Sequence, residues 1–240
     1  MLFRSVAILS LGLLAVPVQA ADTAVLKTQK DKVSYSIGLD IGKNFKKQSM
    51  DIDPDLLARG LKDAMAGGKT LLTEEEVRTI MPAFQKEMQA KAEARAKELG
   101  DKNMKEGETF LAENKKKEGV VTLPSNLQYK VITAGNGERP KSSDTVTTHY
   151  RGTLIDGTEF DSSHKRGQPA SFPVTGVIAG WTEALQLMPV GSKWQLFVPS
   201  NLAYGPRGAG QMIGPNATLI FEVELLSIQA GEKAPEKNGK

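Results

Sequence analysis

Between Thr73 and Lys116 the chain is dominated, from Gln85 to Lys105 above all, by Ala, Lys, Glu, Gln and Arg, all strong helix formers. Thr73-Glu74-Glu75-Glu76 opens the stretch with the form of a capping box, Thr at the cap and Glu three residues on. A helix of roughly 40 residues reaches about 60 Å at 1.5 Å per residue. It is polar nearly all round, and such a helix is not core: it either bridges two bodies through solvent or holds itself loosely. This constrains the fold more than any other feature, because whatever lies before the helix and whatever lies after it must each find its own core. Pro82, Gly100 and Gly107 are the places where such a helix bends.

A length of 240 residues allows one or two domains, with hydrophobic and charged contents ordinary for a globular protein. Residues 1–20 stand apart. Arg4 precedes an apolar run, Val6 to Val16, and Val18-Gln19-Ala20 has the small-residue form of a cleavage site, so this segment reads as an export signal cut after Ala20. The run is too short to span a bilayer as a mature helix. There is no cysteine, hence no disulfide, no lipid-attachment thiol and no thiol nucleophile or metal ligand. With His149 and His164 the only histidines, the sequence argues against a His-rich metal site as well. His149 sits in an alternating strand and reads as structural; His164 sits in a polar loop and reads as solvated. The net charge of +3 is too small to argue for nucleic acid, and Lys115-Lys116-Lys117 reads as a solvated helix end.

After a polar, frayed stretch over residues 21–32, Val33, Ile37, Ile41 and Phe45 repeat every four residues, an amphipathic helix. Asp53-Pro54 caps and starts a second one, with Leu56, Leu57, Leu61, Ala64 and Met65, which Gly67-Gly68 ends. Val77, Ile80, Met81, Phe84 and Met88 give the start of the long helix an apolar side. This is thin for a domain on its own. Either two copies of the chain share one core here or the apolar face receives some other partner helix.

From Gly119 the period changes to two. Leu127 to Ile132, Thr145 to Leu154, Lys193 to Pro199 and Thr218 to Ile228 read as strands. Val146, Thr148 and Tyr150 share one face; Leu219, Phe221, Val223 and Leu225 share another. Asp156-Gly157 marks a hairpin. Val146, Val198 and Leu219 read as core. The last ten residues, rich in Lys, Glu, Pro and Gly, read as a disordered tail. Among the strands lies one short helix, with Trp181, Leu185 and Met188 at i, i+4 and i+7, ending before Pro189-Val190-Gly191. Val177 and Ile178 precede it beside Gly176 and Gly180. A lone helix with an indole at its mouth, surrounded by strands, reads as a plug against a curved sheet. Burial alone would explain the Trp; its company points further.

Tyr150, Asp156-Gly157, Phe160-Asp161-Ser162-Ser163, Val177-Ile178-Ala179-Gly180-Trp181, Ala203-Tyr204-Gly205 and Ala217-Thr218-Leu219-Ile220-Phe221 follow one another at domain-scale spacing. Together they closely resemble the FK506-binding-protein (FKBP) type of peptidyl-prolyl cis-trans isomerase, over about residues 120–228. Asp31-Lys32-Val33-Ser34-Tyr35-Ser36-Ile37-Gly38, the long helix and Phe110-Leu111-Ala112-Glu113-Asn114-Lys115 resemble the N-terminal region of the macrophage infectivity potentiator (Mip) and FkpA branch of that family. The resemblance implies an α+β chain: a signal peptide (1–20), a helical dimerisation domain (21–72), a long connecting helix (73–116), an antiparallel half-barrel wrapped around one short helix (117–230) and a tail (231–240). It implies a V-shaped homodimer, formed through residues 33–88, in the periplasm, at the outer membrane or at the cell surface. Its substrates would be proline-containing unfolded or exported polypeptides, with FK506- or rapamycin-type compounds as ligands and no cofactor or metal. A holdase chaperone activity, or a host-contact role, is the alternative.

Carried over by residue, the resemblance lines the pocket with Tyr150, Phe160, Asp161, Phe172, Val177, Ile178, Trp181, Tyr204, Ile213 and Phe221. Trp181 would be the floor under a proline ring. The Ile178 amide and the Tyr204 hydroxyl would meet substrate carbonyls. Asp161 would orient Tyr150 or polarise the bound amide; its local alternative is a loop cap at Ser163. Ala170 stands where many members carry an aromatic residue, and Ala209, Gly210 and Met212 lie in a loop that often carries His-Pro in eukaryotic relatives.

Overall fold

The structure, a computed structural model, describes residues 26–231. The expected export signal and residues 232–240 of the expected tail lie outside them. Contacts divide the chain into two compact units, between Thr73 and Glu74.

The first unit holds two helices. α1 (Gln29–Gln48) begins inside the stretch expected to fray, because Thr28 and Asp31 form a capping box. The Thr28 side chain accepts from the Asp31 amide at 3.1 Å, and the Asp31 carboxylate accepts from the Thr28 amide at 2.8 Å. α2 (Pro54–Ala66) is capped by Asp53, whose carboxylate accepts from the amides of Asp55 and Leu56 at 2.9 and 3.0 Å, and it ends at Gly67 in the left-handed region. Neither helix buries a single residue. Val33 is 48% exposed, Leu56 64% and Leu61 60%.

The second unit starts with α3 (Glu74–Asn114), one unbroken helix of 41 residues that runs through Pro82, Gly100 and Gly107. The two glycines are not exposed bend points: they and Asn114 are the helix's buried residues. Among the described residues no helix is long and apolar enough to cross a membrane.

Then come β1 (Val120–Thr122), β2 (Gln128–Thr133), β3 (Thr145–Leu154), β4 (Glu159–Ser162), β5 (Ala170–Pro173), α4 (Ala179–Leu185), β6 (Lys193–Val198) and β7 (Leu219–Gln229), with short 3-10 turns at Ser200–Leu202 and Gly205–Arg207. The sheet is antiparallel throughout, in the order β1-β2-β6-β7-β3-β4, and β5 also pairs with β3. β3 therefore forks, holding β5 along Thr145–Thr148 and β4 along Arg151–Thr153. The alternation read from the sequence holds: Val146, Thr148 and Tyr150 are buried, as are Leu219, Phe221, Val223 and Leu225. α4 plugs the sheet, with Trp181, Ala184 and Leu185 packed in one cluster with Val198, Leu219 and Val223. Met188 joins this core just past the helix end, its amide bonded back to the Ala184 carbonyl at 3.1 Å. Gly180 is where α4 lies on β6; a Cβ there would stand 2.6 Å from Val198 Cγ1.

Candidate active site

At the mouth of this sheet, around the N-terminal end of α4, lies a cleft of about 670 Å³. All ten residues expected at the pocket line it: Tyr150 from β3, Phe160 and Asp161 from β4, Phe172 from β5, Val177, Ile178 and Trp181 at α4, Tyr204 and Ile213 from the β6–β7 connection, and Phe221 from β7. Ala209, Gly210, Gln211 and Met212 close the outer wall.

The floor is an edge-to-face set of rings. Trp181, 4% exposed, meets Tyr150 at 5.3 Å and 89°, Phe221 at 5.3 Å and 83°, and Phe172 at 6.0 Å and 83°. Phe160 meets Phe221 at 5.5 Å and 84°. Tilted contacts of this kind set each ring's positive edge against its neighbour's negative face and fix the rings relative to one another. Gly152 makes room for them, since a Cβ there would stand 2.7 Å from the Phe160 ring and 2.9 Å from the Phe221 ring. The Trp181 Nε1 is buried without a hydrogen-bond partner among the described residues.

Adjacent residues of a strand ordinarily face opposite ways, yet Phe160 and Asp161 both line the cleft. The register explains this. Gly152 pairs with Asp161 and Thr153 with Glu159, so Phe160 is the extra residue of a bulge, which re-aims its side chain.

The one acid of the cleft is held by two side-chain partners. The Tyr150 hydroxyl donates to Asp161 at 2.6 Å, and Arg166 donates to Asp161 through Nη1 and to the Tyr150 hydroxyl through Nη2, the latter at 2.7 Å. Burial pushes the Asp161 carboxyl up, but the hydrogen bonds from Tyr150 and Arg166 and the guanidinium charge outweigh it, and the group lies below the usual carboxylate range. Burial, together with the Asp161 carboxylate, raises the Tyr150 phenol. At neutral pH the cluster is thus carboxylate, neutral phenol and guanidinium, its two charges opposed. Asp161 accepts from the Tyr150 hydroxyl, and the Ser163 amide is taken by the Tyr150 carbonyl at 3.0 Å and not by Asp161.

Arg166 was not legible as a site residue. It sits in a polar loop beside Lys165, where a basic side chain reads as solvated. The only available signal was its position five residues after the acid. The two histidines meet one another instead of working alone: their rings stack at 4.6 Å, and His149 Nδ1 lies 3.0 Å from Ser163 Oγ.

Ile178 occupies the N-cap of α4 with no side-chain cap; its carbonyl accepts from the amides of Trp181 and Thr182. Tyr204 is 42% exposed at the rim. Among the described residues no Ser, Cys, Thr, Lys or His lines the cleft. Aromatic walls around one balanced polar cluster suit the binding of an apolar segment.

Residues 136–226 match the family described as FKBP-type peptidyl-prolyl cis-trans isomerase, and residues 30–131 match the domain amino terminal to FKBP-type peptidyl-prolyl isomerase. The outer membrane protein MIP of Legionella longbeachae is 56% identical over 210 residues, 88% of this chain and 90% of that one. The peptidyl-prolyl cis-trans isomerase Mip of Coxiella burnetii is 48% identical, over 92% of this chain and 96% of that one. The crystal structure of FkpA from Escherichia coli superposes with a TM-score of 0.66 at 38% identity, covering 87% of this chain and all of that one. The chain belongs to the FKBP-type peptidyl-prolyl cis-trans isomerase family, in its two-part Mip and FkpA-like form.

Proposed function

We propose that the cleft over Trp181 is where this isomerase turns Xaa–Pro bonds in exported polypeptides. An Xaa–Pro amide loses its resonance as it rotates, and peptide-bond rotation costs about 18–20 kcal/mol unaided. The twisted amide has less charge separation than the planar one, so a cleft that replaces water by rings favours it over the ground state. Trp181 supports the proline ring between Tyr150, Phe172 and Phe221. The Ile178 amide and the Tyr204 hydroxyl hold the flanking carbonyls. Asp161, kept ionised by Arg166 and Tyr150, faces the rotating amide. The observation that carries this reading is the convergence of ten residues from six parts of the chain on one apolar cleft with a single, internally balanced acid. Turnover of a short Xaa–Pro peptide by the mature chain, beside Asp161→Ala and Tyr204→Phe, tests it. Slower isomerisation by a folded Asp161→Ala supports it; an unchanged rate refutes the role of the acid.

The exposed apolar residues of α1 and α2 support a homodimer in which a second copy covers them. The same residues favour a second activity, the holding of unfolded chains without turnover. An exported location, in the periplasm or at the outer membrane, is supported by the signal-like residues 1–20 and by the name of the Legionella relative.

A further inference from the structure

α3 is exposed along most of its length, yet Gly100 and Gly107, two turns apart, are buried. Glycine inside a helix is unfavourable relative to alanine, and here both glycines answer to a neighbour distant in sequence. A Cβ on Gly107 would stand 2.2 Å from Thr218 Oγ1, and one on Gly100 would stand 3.2 Å from Pro215 Cβ and 3.3 Å from Asn216 Nδ2. Between the two glycines, one turn from Gly100, Asn103 donates from Nδ2 to the Pro215 carbonyl at 2.8 Å, and Asn216 donates back to the Gly100 carbonyl at 3.4 Å. Leu99 and Asn103 also close over Gly214, where a Cβ would meet each at 3.1 Å.

The segment so gripped is continuous with the cleft's outer wall. Ile213 lines the cleft and exchanges hydrogen bonds with Ala209, at 2.8 and 3.2 Å. Asn216, in the left-handed region at φ 54°, donates its amide at 2.8 Å to the carbonyl of Gly205, the residue after Tyr204. The contacts therefore run from α3 to residues 214–216 and from there to both Ile213 and the turn beside Tyr204.

We propose that Asn103, with the notches at Gly100 and Gly107, is a positioning device for the isomerase cleft: the last turns of α3 hold the wall formed by residues 205–217 in the place where it meets substrate. None of these α3 residues touches the cleft; they act through Pro215, Asn216 and Thr218. The proposal rests on the reading of that cleft as the isomerase site.

The test uses the intact mature chain carrying Asn103→Ala or Gly107→Ala, with Lys97→Ala as the control on the exposed side of α3. kcat and KM for a short Xaa–Pro peptide are read together with amide hydrogen exchange. The expected result for both variants is a loss in kcat/KM of about fivefold to tenfold, short of the ~100-fold that follows a 1 Å displacement in a reacting geometry. Exchange should quicken across residues 205–217 while β6 and β7 exchange as before. Thr218→Ala, which removes the oxygen that a Cβ at 107 would strike, should restore much of the loss in the Gly107→Ala background. An unchanged kcat/KM with unchanged exchange in 205–217 would overturn the proposal, and so would a loss of activity accompanied by faster exchange throughout the sheet. The exchange readout does not depend on turnover. If Asp161→Ala isomerises as fast as the parent, the assignment of the cleft fails, and the positioning role is then judged on the exchange of 205–217 alone.

Discussion

The two units of this chain use the same side chains in opposite ways. In the sheet unit Leu127, Leu185, Leu196, Leu219 and Leu225 are completely buried; in the helical unit Leu56, Leu57 and Leu61 are between 42% and 64% exposed. Leu127, Leu196, Leu219 and Leu225 follow the strands' period of two, while Leu185 and the helical set follow a period of three to four. A strand's alternation, once the sheet curves around a plug, fixes both the apolar face and what covers it. A helix's stripe fixes only the face. The sheet from Val120 onward holds its core within one chain, whereas α1 and α2 leave their apolar side chains exposed and, on our proposal, are covered by a second copy.

The largest effect that separates the two is on stability. Leu196→Ala should cost about 2–5 kcal/mol, the range for deleting a buried leucine side chain. That loss, read by denaturant unfolding of the sheet unit, should not depend on protein concentration. Leu61→Ala should instead give a loss that shrinks on dilution and vanishes where parent and variant are both monomers, because the contact it removes would lie between copies. Equal, concentration-independent losses would erase the distinction.

The next effects fall on the cleft. Asp161→Ala removes a charged hydrogen-bonding group, and at about 1.5–3 kcal/mol for such a bond the expected fall in kcat/KM is roughly tenfold to a hundredfold. This fall should be the same in the dimer and in any monomeric variant. A fall seen only in the dimer would mean that the cleft, too, depends on the second copy.

Smaller again is the response to pH. The folded carboxyl of Asp161 lies below its ordinary value. Its contribution to stability is therefore complete above the unfolded value of about 3.9 and is lost as the pH falls below that, through the lowered folded value. Isomerase activity should show no Asp161 titration between neutrality and about pH 5. Arg166→Ala removes two of the influences that lower the group, so the acid limb of the pH–rate profile should move to higher pH. An acid limb that does not move would show that Arg166 has no hold on the acid.

The smallest expected effect is at Ala170, which is not among the residues that line the cleft. Ala170 lies on β5 two residues from Phe172 and packs against the core cluster. Ala170→Phe adds apolar wall and should tighten an FK506-type ligand by less than about tenfold, equivalent to roughly 1 kcal/mol of partial ring burial. Peptide turnover should change little. Isothermal titration against the parent checks it.

Most of the cleft was legible in the sequence because eight of its ten residues sit in short motifs whose order and spacing are specific; Phe172 and Ile213 lie outside them. What stayed hidden depends on contacts that no local period encodes. Arg166 looks solvated until Asp161 and Tyr150 are brought beside it by the β3–β4 pairing. β5 is four residues long, Ala170–Pro173, too short to show alternation. Gly100 and Gly107 read as weak points of a helix because what buries them, residues 215–218, lies more than a hundred positions away. Thr28 and Asp31 were passed over for the opposite reason: a capping box is local, but a polar stretch hides it.

The central claim, that one unit stands alone and the other is finished by a second copy, is tested most directly by sedimentation of the mature chain beside Leu57→Asp/Leu61→Asp, with isomerisation of a short Xaa–Pro peptide measured on both. The account predicts a dimeric parent and a monomeric variant that turns over the peptide at the parent's rate. A monomeric parent, or a variant whose peptide turnover is lost along with its dimer, would contradict it.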